Sequence, residues 1–315
     1  MSSAPIPPIP LSRHEADFDG FARDLGASFQ RFGFAVIEGH GLDGRRLDAA
    51  LADAKAFFDL PEAAKRGYVI AGGAGQRGYT PFRVETAKGA DKADLKEFWH
   101  IGRDLPDGHP YRGVIAPNVW PAEIAGFHAS LGALYDDLDG LGLKILRGVA
   151  RHLGLEPDAF APAVKDGDSV LRLLRYPPLE TAPEPGAVRA GAHEDINAIT
   201  LLLGAEEAGL ELLDRDDRWL AINPPPGSLV VNIGDMLQRL TNHVLPSTTH
   251  RVVNPTPERA GVARYSMPFF LHFAPRFEIR TLPGCISPER PDRYPEPITA
   301  RAYLQQRLRE IRLVA

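Results

Sequence analysis

His193-Glu194-Asp195 sets an imidazole and a carboxylate two residues apart. On an extended backbone, residues i and i+2 point to the same side, so this pair could share one ion. A third ligand is available in Ser247-Thr248-Thr249-His250-Arg251-Val252, which reads as a later β-strand. Two imidazoles and one carboxylate cover one face of an octahedral ion and leave three positions open, the donor set of non-haem iron(II) oxygen chemistry. The same set could hold zinc for hydrolysis, and a lone His-x-Asp pair also suits a solvated loop. His243 is a rival third ligand, although Thr241-Asn242-His243 after the Gly234-Asp235 turn reads as loop. His14, His40, His100, His109, His128, His152 and His272 have no carboxylate two residues away in a strand-like setting and read as surface or core polar residues.

A second constellation is Arg264-Tyr265-Ser266, where strand alternation puts a guanidinium and a hydroxyl on one face. A planar guanidinium binds a carboxylate through two parallel hydrogen bonds and the serine adds a third, which makes a receptor for an organic acid. The competing reading is an internal salt bridge. Arg259 lies nearer His250 but has Gly261, without a hydroxyl, two residues on.

These residues need elements to position them. Ser12 to Glu15 reads as a capping box ahead of an amphipathic helix carrying Phe18, Phe21, Ala22, Leu25, Phe29 and Phe32, which Gly33 stops. Phe34 to Ile37 is a short β-prone run, and Leu47, Leu51, Ala54 and Phe58 mark a helix ending before Pro61, together an N-terminal α/β cap. Glycine-rich Ala71 to Gly78 lacks the strand and the GK[ST] of a phosphate cradle and reads as a mobile loop. From Pro121, Ile124, Phe127, Leu131, Leu134, Leu138, Leu141 and Ile145 describe a long scaffold helix, whose glycines favour packing within this chain over a coiled coil. Short β-rich runs follow: Val170 to Tyr176, Ile199 to Leu203, Leu210 to Leu213, Trp219 to Ile222, Leu229 to Ile233 and Tyr265 to Phe273. Their regular spacing indicates a sandwich or barrel. Tyr303, Leu304, Leu308 and Ile311 make a closing helix, with Thr299 as its cap. The expected class is α+β with a mainly β core, divided into a cap over 1–118, a scaffold helix and β core over 119–298, and a C-terminal helix over 299–315.

Composition narrows the partners. A net charge of −5 and a pI near 6.1 supply no field for a polyanion or an anionic membrane, so the expectation is a small-molecule substrate with neither nucleic acid nor membrane as partner. No run approaches the roughly 18 apolar residues of a membrane span, and MSSAPIPPIP lacks the features of a signal peptide, so the expected address is cytoplasmic. Cys285 is the only cysteine, which excludes an intrachain disulfide and a thiolate metal cluster.

Several motifs in order resemble the isopenicillin N synthase-like family of iron(II)/2-oxoglutarate-dependent dioxygenases over nearly the whole chain. They are Gly33-Phe34-Ala35-Val36-Ile37-Glu38-Gly39-His40-Gly41, then Trp219 to Asn254 with Leu229-Val230-Val231-Asn232-Ile233-Gly234-Asp235 and His250-Arg251-Val252, then Arg264-Tyr265-Ser266 with Pro268-Phe269-Phe270. The resemblance implies a double-stranded β-helix (jelly roll) flanked by helices, iron(II) on His193, Asp195 and His250, and the distal carboxylate of 2-oxoglutarate on Arg264 and Ser266. Tyr176 matches a family tyrosine that reaches toward the co-substrate or substrate carboxylate. The implied activity oxidises a C–H bond of a small molecule with O₂ and yields succinate and CO₂, with Phe82, Phe270 and the glycine-rich loop as substrate contacts. Two departures stand out: Leu174 where plant-type members often carry Asn, and a longer stretch between His250 and Arg264. Isopenicillin N synthase itself uses the Arg-x-Ser pair on its substrate, so an oxidase working without 2-oxoglutarate and a metal-free carboxylate-binding module are the alternatives.

Overall fold

The computed structural model describes residues 6–310 apart from 74, 87–90, 180, 182 and 205–207. Its core is built from strands β1 (Pro8–Pro10), β2 (Phe34–Glu38), β3 (Gly78–Thr80), β4 (Glu97–Gly102), β5 (Val170–Tyr176), β6 (Ala190–His193), β7 (Ile199–Leu203), β8 (Leu210–Leu213), β9 (Trp219–Ala221), β10 (Leu229–Ile233), β11 (His250–Val252) and β12 (Arg264–Leu271). Eight form a major sheet in the order β1-β2-β10-β7-β12-β5-β4-β3, and four form a minor sheet in the order β6-β11-β8-β9. Apart from the parallel β1–β2 pair at one edge, the pairings within these two sheets are antiparallel. This is the jelly roll, and the N-terminal strands extend both edges of its larger sheet.

Strand alternation divides the apolar residues between two faces. Outward-facing Leu171, Leu173, Leu201, Phe269 and Leu271 join one large cluster with Phe21, Leu25 and Phe29, with Phe57 and Phe58, and with Leu131, Leu134, Leu138 and Ile145. Three helices, Phe18–Phe32, Gly44–Phe58 and Phe127–His152, thus cover the outer face of the major sheet. Gly142 is what lets the longest of them settle there: a Cβ would lie 2.3 Å from Leu271 Cδ1. Inward-facing Phe34, Val36 and Val230 meet Ala190, Leu210, Leu212 and Val252 of the minor sheet and close one end of the space between the sheets. The polar site occupies other inward positions.

Some boundaries differ from the sequence expectation. Ser12 has helical dihedrals and makes no capping bond; the amphipathic helix is capped by Asp17, whose carboxylate accepts from Gly20 N at 3.0 Å. The chain breaks at Asp17 (φ −153°, ψ 70°), so Arg13–Ala16 is a separate short turn. The scaffold helix begins at Phe127 rather than Pro121. Tyr68 competes for the intervening backbone: its hydroxyl accepts from Ala122 N and donates to Glu123. At the other end, Thr299 Oγ1 accepts from Ala302 N, the expected cap of the Ala300–Glu310 helix. Ile311 lies outside the described residues. Among those residues no helix is long and apolar enough to cross a membrane.

Candidate active site

Register brings the two imidazoles together. His193 closes β6, His250 opens β11, and the two are cross-strand partners with ring centroids 4.4 Å apart. Each ring is turned by its own strand: His193 Nδ1 lies 2.8 Å from Gly191 O and His250 Nδ1 lies 3.0 Å from Thr248 O. A proton held on Nδ1 by a carbonyl leaves the Nε2 lone pair free for a metal. Asp195 lies beyond the end of β6, in irregular chain just before a bend, so strand alternation is not what aims it. The backbone of the neighbouring Asp235–Leu240 helix does so: Asp235 N donates to Asp195 O at 2.7 Å and Met236 N to Asn197 O at 3.1 Å. Gly234 permits that approach, since a Cβ there would sit 2.2 Å from Asn197 O.

Asp195 Oδ1 stands 3.8 Å from His193 Nε2 and 3.9 Å from His250 Nε2. Its Oδ2 accepts from Thr200 Oγ1 at 2.5 Å and from Asn232 Nδ2 at 2.8 Å, so one oxygen is anchored while the other faces the imidazoles. Burial opposes ionisation of Asp195, but the two imidazoles and the two donors outweigh it and hold the carboxyl below its ordinary range. Burial, with His250 alongside, pushes His193 down to about 4. A neutral imidazole beside a carboxylate is the protonation state a divalent ion requires. The three donor atoms lie within 4.8 Å of one another, and the set of two nitrogens and one oxygen suits iron(II). His243 is excluded by geometry: it sits at φ +64°, stacks on Tyr294 and bonds the Tyr294 hydroxyl at 2.6 Å.

On the facing sheet, Arg264 and Tyr176 are cross-strand partners, as are Ser266 and Leu174. All of these are buried, Arg264 to 1% exposure. The guanidinium lies 5.2 Å from the Tyr176 ring, makes no ion pair among the described residues, and its Nε has no hydrogen-bond partner. A buried charge with no counter-charge among the described residues is strongly unfavourable, which favours a receptor for an anion over an internal salt bridge. Arg259 is exposed on a short 3₁₀ turn.

The site opens into a cavity of about 380 Å³ bounded by His193, Asp195 and Phe270 and also by Glu85, Lys96, His100, Arg172 and His272. Leu304, Arg307 and Leu308 of the C-terminal helix contribute to its wall, and Gln76 comes from the glycine-rich loop. Arg264, Ser266 and Tyr176 do not line it; they occupy the same faces of β12 and β5 as Phe270 and Arg172, further along the strands. Phe82 is 38% exposed and not part of the wall. Sequence reading missed His100, Arg172 and His272 as site residues. Period-two alternation contained the signal, because Arg172 shares a face with Tyr176, and His272 with Phe270.

Two family models match the chain: the N-terminal region of the non-haem dioxygenase in morphine synthesis over residues 6–123, and the 2OG-Fe(II) oxygenase superfamily over residues 167–273. The 2-oxoglutarate-Fe(II) type oxidoreductase hxnY of Emericella nidulans is 34% identical over 85% of this chain and 78% of its own length. The chain belongs to the 2OG-Fe(II) oxygenase superfamily, in its isopenicillin N synthase-like branch. It is similar to a 2OG-Fe(II) oxygenase family protein from Caulobacter crescentus, with a TM-score of 0.93 and 62% identity over 99% of this chain and 100% of that one. A full-length Neurospora crassa protein solved in complex with alpha-KG superposes with a TM-score of 0.85 at 30% identity, covering 96% of this chain and 95% of that one. As an oxygenase of this superfamily the protein is an oxidoreductase that works with iron(II), 2-oxoglutarate and O₂.

Proposed function

We propose that His193, Asp195 and His250 hold the iron(II), that Arg264, Ser266 and Tyr176 receive the far carboxylate of 2-oxoglutarate, and that a small molecule in the cavity is oxidised at a C–H bond as succinate and CO₂ form. The observation that carries this reading is the Arg264 guanidinium, buried beside Tyr176 with no counter-charge among the described residues. Bound iron supplies O₂ activation, with 2-oxoglutarate as the source of two of the electrons. The protein's contribution is positional. Anchored Nδ1 atoms keep both imidazoles aimed, Thr200 and Asn232 fix one oxygen of Asp195, and the cavity holds a C–H bond close to the metal. The same Neurospora crassa protein has been crystallised with alpha-KG and thymine, and JOX2 with 2OG, Fe and JA, so relatives with this fold take small organic molecules beside the co-substrate.

The test is anaerobic addition of iron(II) and 2-oxoglutarate to metal-free protein, following the weak visible charge-transfer band of keto-acid chelation. The expected result is a band in the parent protein, none in His250→Ala, and in Arg264→Ala a band that needs far more 2-oxoglutarate. Bound iron with no band in the parent would overturn the co-substrate assignment.

A further inference from the structure

The cavity wall contains a group of charges that neither iron nor 2-oxoglutarate uses, with Lys96 and Asp94 buried and Glu85 and Arg172 half-buried. Lys96 Nζ contacts Glu85 at 2.5 Å and Asp94 at 2.7 Å. Arg172 aims both terminal nitrogens at Glu85, each at 3.4 Å, and its Nε donates to His100 Nε2 at 2.6 Å. Two cations thus face two carboxylates, and His100, accepting from Arg172, is neutral. The other charged side chains of the wall outside the metal set are Glu194 and Arg307, one of each sign. A charge-closed wall of this kind disfavours an ionic substrate, because an anion would meet Glu85 and a cation would meet Lys96 and Arg172 in a partly desolvated space.

The Arg172–Glu85 contact is also unsaturated. At 3.4 Å it is long for a charge-assisted fork, and it leaves N–H groups of Arg172 beside lone pairs of Glu85. The guanidinium lies near two aromatic rings, 4.2 Å from the Phe98 centroid and 5.2 Å from that of Phe270, and Phe270 itself faces the cavity. An adjacent donor and acceptor beside an aromatic face complement a ring that carries an acceptor next to a donor.

Building on the proposed function, we infer that Arg172 and Glu85 select the primary substrate, and that it is a flat, uncharged ring bearing an amide or imide edge: the carbonyl accepts from Arg172, the ring N–H donates to Glu85, and the ring lies along Phe270. Asp94 ties this wall to the metal, since its carboxylate bonds both Lys96 and Gly191 N, and Gly191 O holds His193.

The experiment uses protein carrying iron(II) and 2-oxoglutarate without oxygen, and measures by calorimetry the binding of three probes: uracil, benzoate and benzylamine. The parent protein is expected to bind uracil at least ten-fold more tightly than either ion. Glu85→Gln, which leaves the wall one positive charge in excess, is expected to move the benzoate-to-uracil preference at least ten-fold toward benzoate. Arg172→Gln is expected to move the benzylamine-to-uracil preference likewise toward the cation. No binding of uracil, equal affinity for all three probes, or preferences unmoved in both variants would overturn the inference. The charge-transfer band, recorded on the same samples before any probe is added, reports separately on the iron and 2-oxoglutarate assignment.

Discussion

The bond from Thr200 Oγ1 to Asp195 Oδ2 gives a direct test of how this protein aims its metal carboxylate. Thr200→Val keeps the volume and the β-branched shape of a strand residue but removes the donor at 2.5 Å. Asn197 Nδ2, which donates to Thr200 Oγ1, keeps its bond to Ile199 O at 2.8 Å, so the substitution leaves it a partner. A hydrogen bond to a charged acceptor contributes about 1.5–3 kcal/mol, and about 1.4 kcal/mol corresponds to ten-fold in affinity. Iron(II) binding should therefore weaken by roughly ten- to hundred-fold, the range found when a partner of a metal ligand is removed. Asn232→Leu, which removes the bond at 2.8 Å, should do the same. The double variant should lose at least the product of the two effects, because Oδ2 of a buried carboxylate is then left with neither side-chain donor. Anaerobic iron(II) titration in the presence of saturating 2-oxoglutarate reads all three constants, with thermal melting of the metal-free proteins as a check on folding. If both single variants bound iron within two-fold of the parent while Asp195→Ala lost it, the idea that these two donors orient the carboxylate would be wrong.

Three further outcomes follow from the same structure. Arg264→Ala should raise the KM for 2-oxoglutarate about hundred-fold, from loss of about 3 kcal/mol of charge-assisted bonding, and 2-oxoglutarate should raise the melting temperature of the parent but not of the variant; an unchanged KM would leave Arg264 a structural role. Phe57 is fully buried, with ring centroids 4.6 Å from Trp99 and 5.6 Å from Tyr79, so Phe57→Ala should cost about 3–5 kcal/mol in denaturant unfolding, and a loss under 1 kcal/mol would contradict the packing described. Burial pushes the Asp235 carboxyl up to about 6 despite the Arg307 guanidinium at 3.0 Å. A folded-state value raised above the ordinary 3.8 contributes stability that is fully present below that pH and is lost as pH rises through 6. The stability of the parent relative to Asp235→Asn should therefore fall by about 3 kcal/mol between pH 3.5 and 7, and a difference independent of pH would show that Asp235 is not so perturbed.

The sequence carried the chemistry further than the geometry. Two ligands on adjoining strands and an Arg-x-Ser pair on another are legible because strand alternation has a fixed period, and β5, β7, β8 and β10 fall where their β-rich runs predict. Asp195 shows the limit of that argument. Alternation accounts for the two residues between it and His193 only if the strand continues, whereas β6 ends at His193 and the carboxylate is aimed by Asp235 N, a contact between segments far apart in sequence. Pro121 and Ser12 have the residue types that start helices, yet Tyr68 and Asp17 decide where the helices begin. The substrate wall was the least legible part, for a related reason. Glu85, Lys96 and His100 carry no spacing signature, and although Arg172 shares a face with Tyr176, the group's meaning arises only when β4 pairs with β5 in a register that sets His100 opposite Arg172. Buried ion pairs contribute little net stability, so stability alone does not account for four charged side chains in the cavity wall, and recognition is the role proposed for them. The ligand triad is shared chemistry, and what distinguishes this oxygenase should lie in that wall.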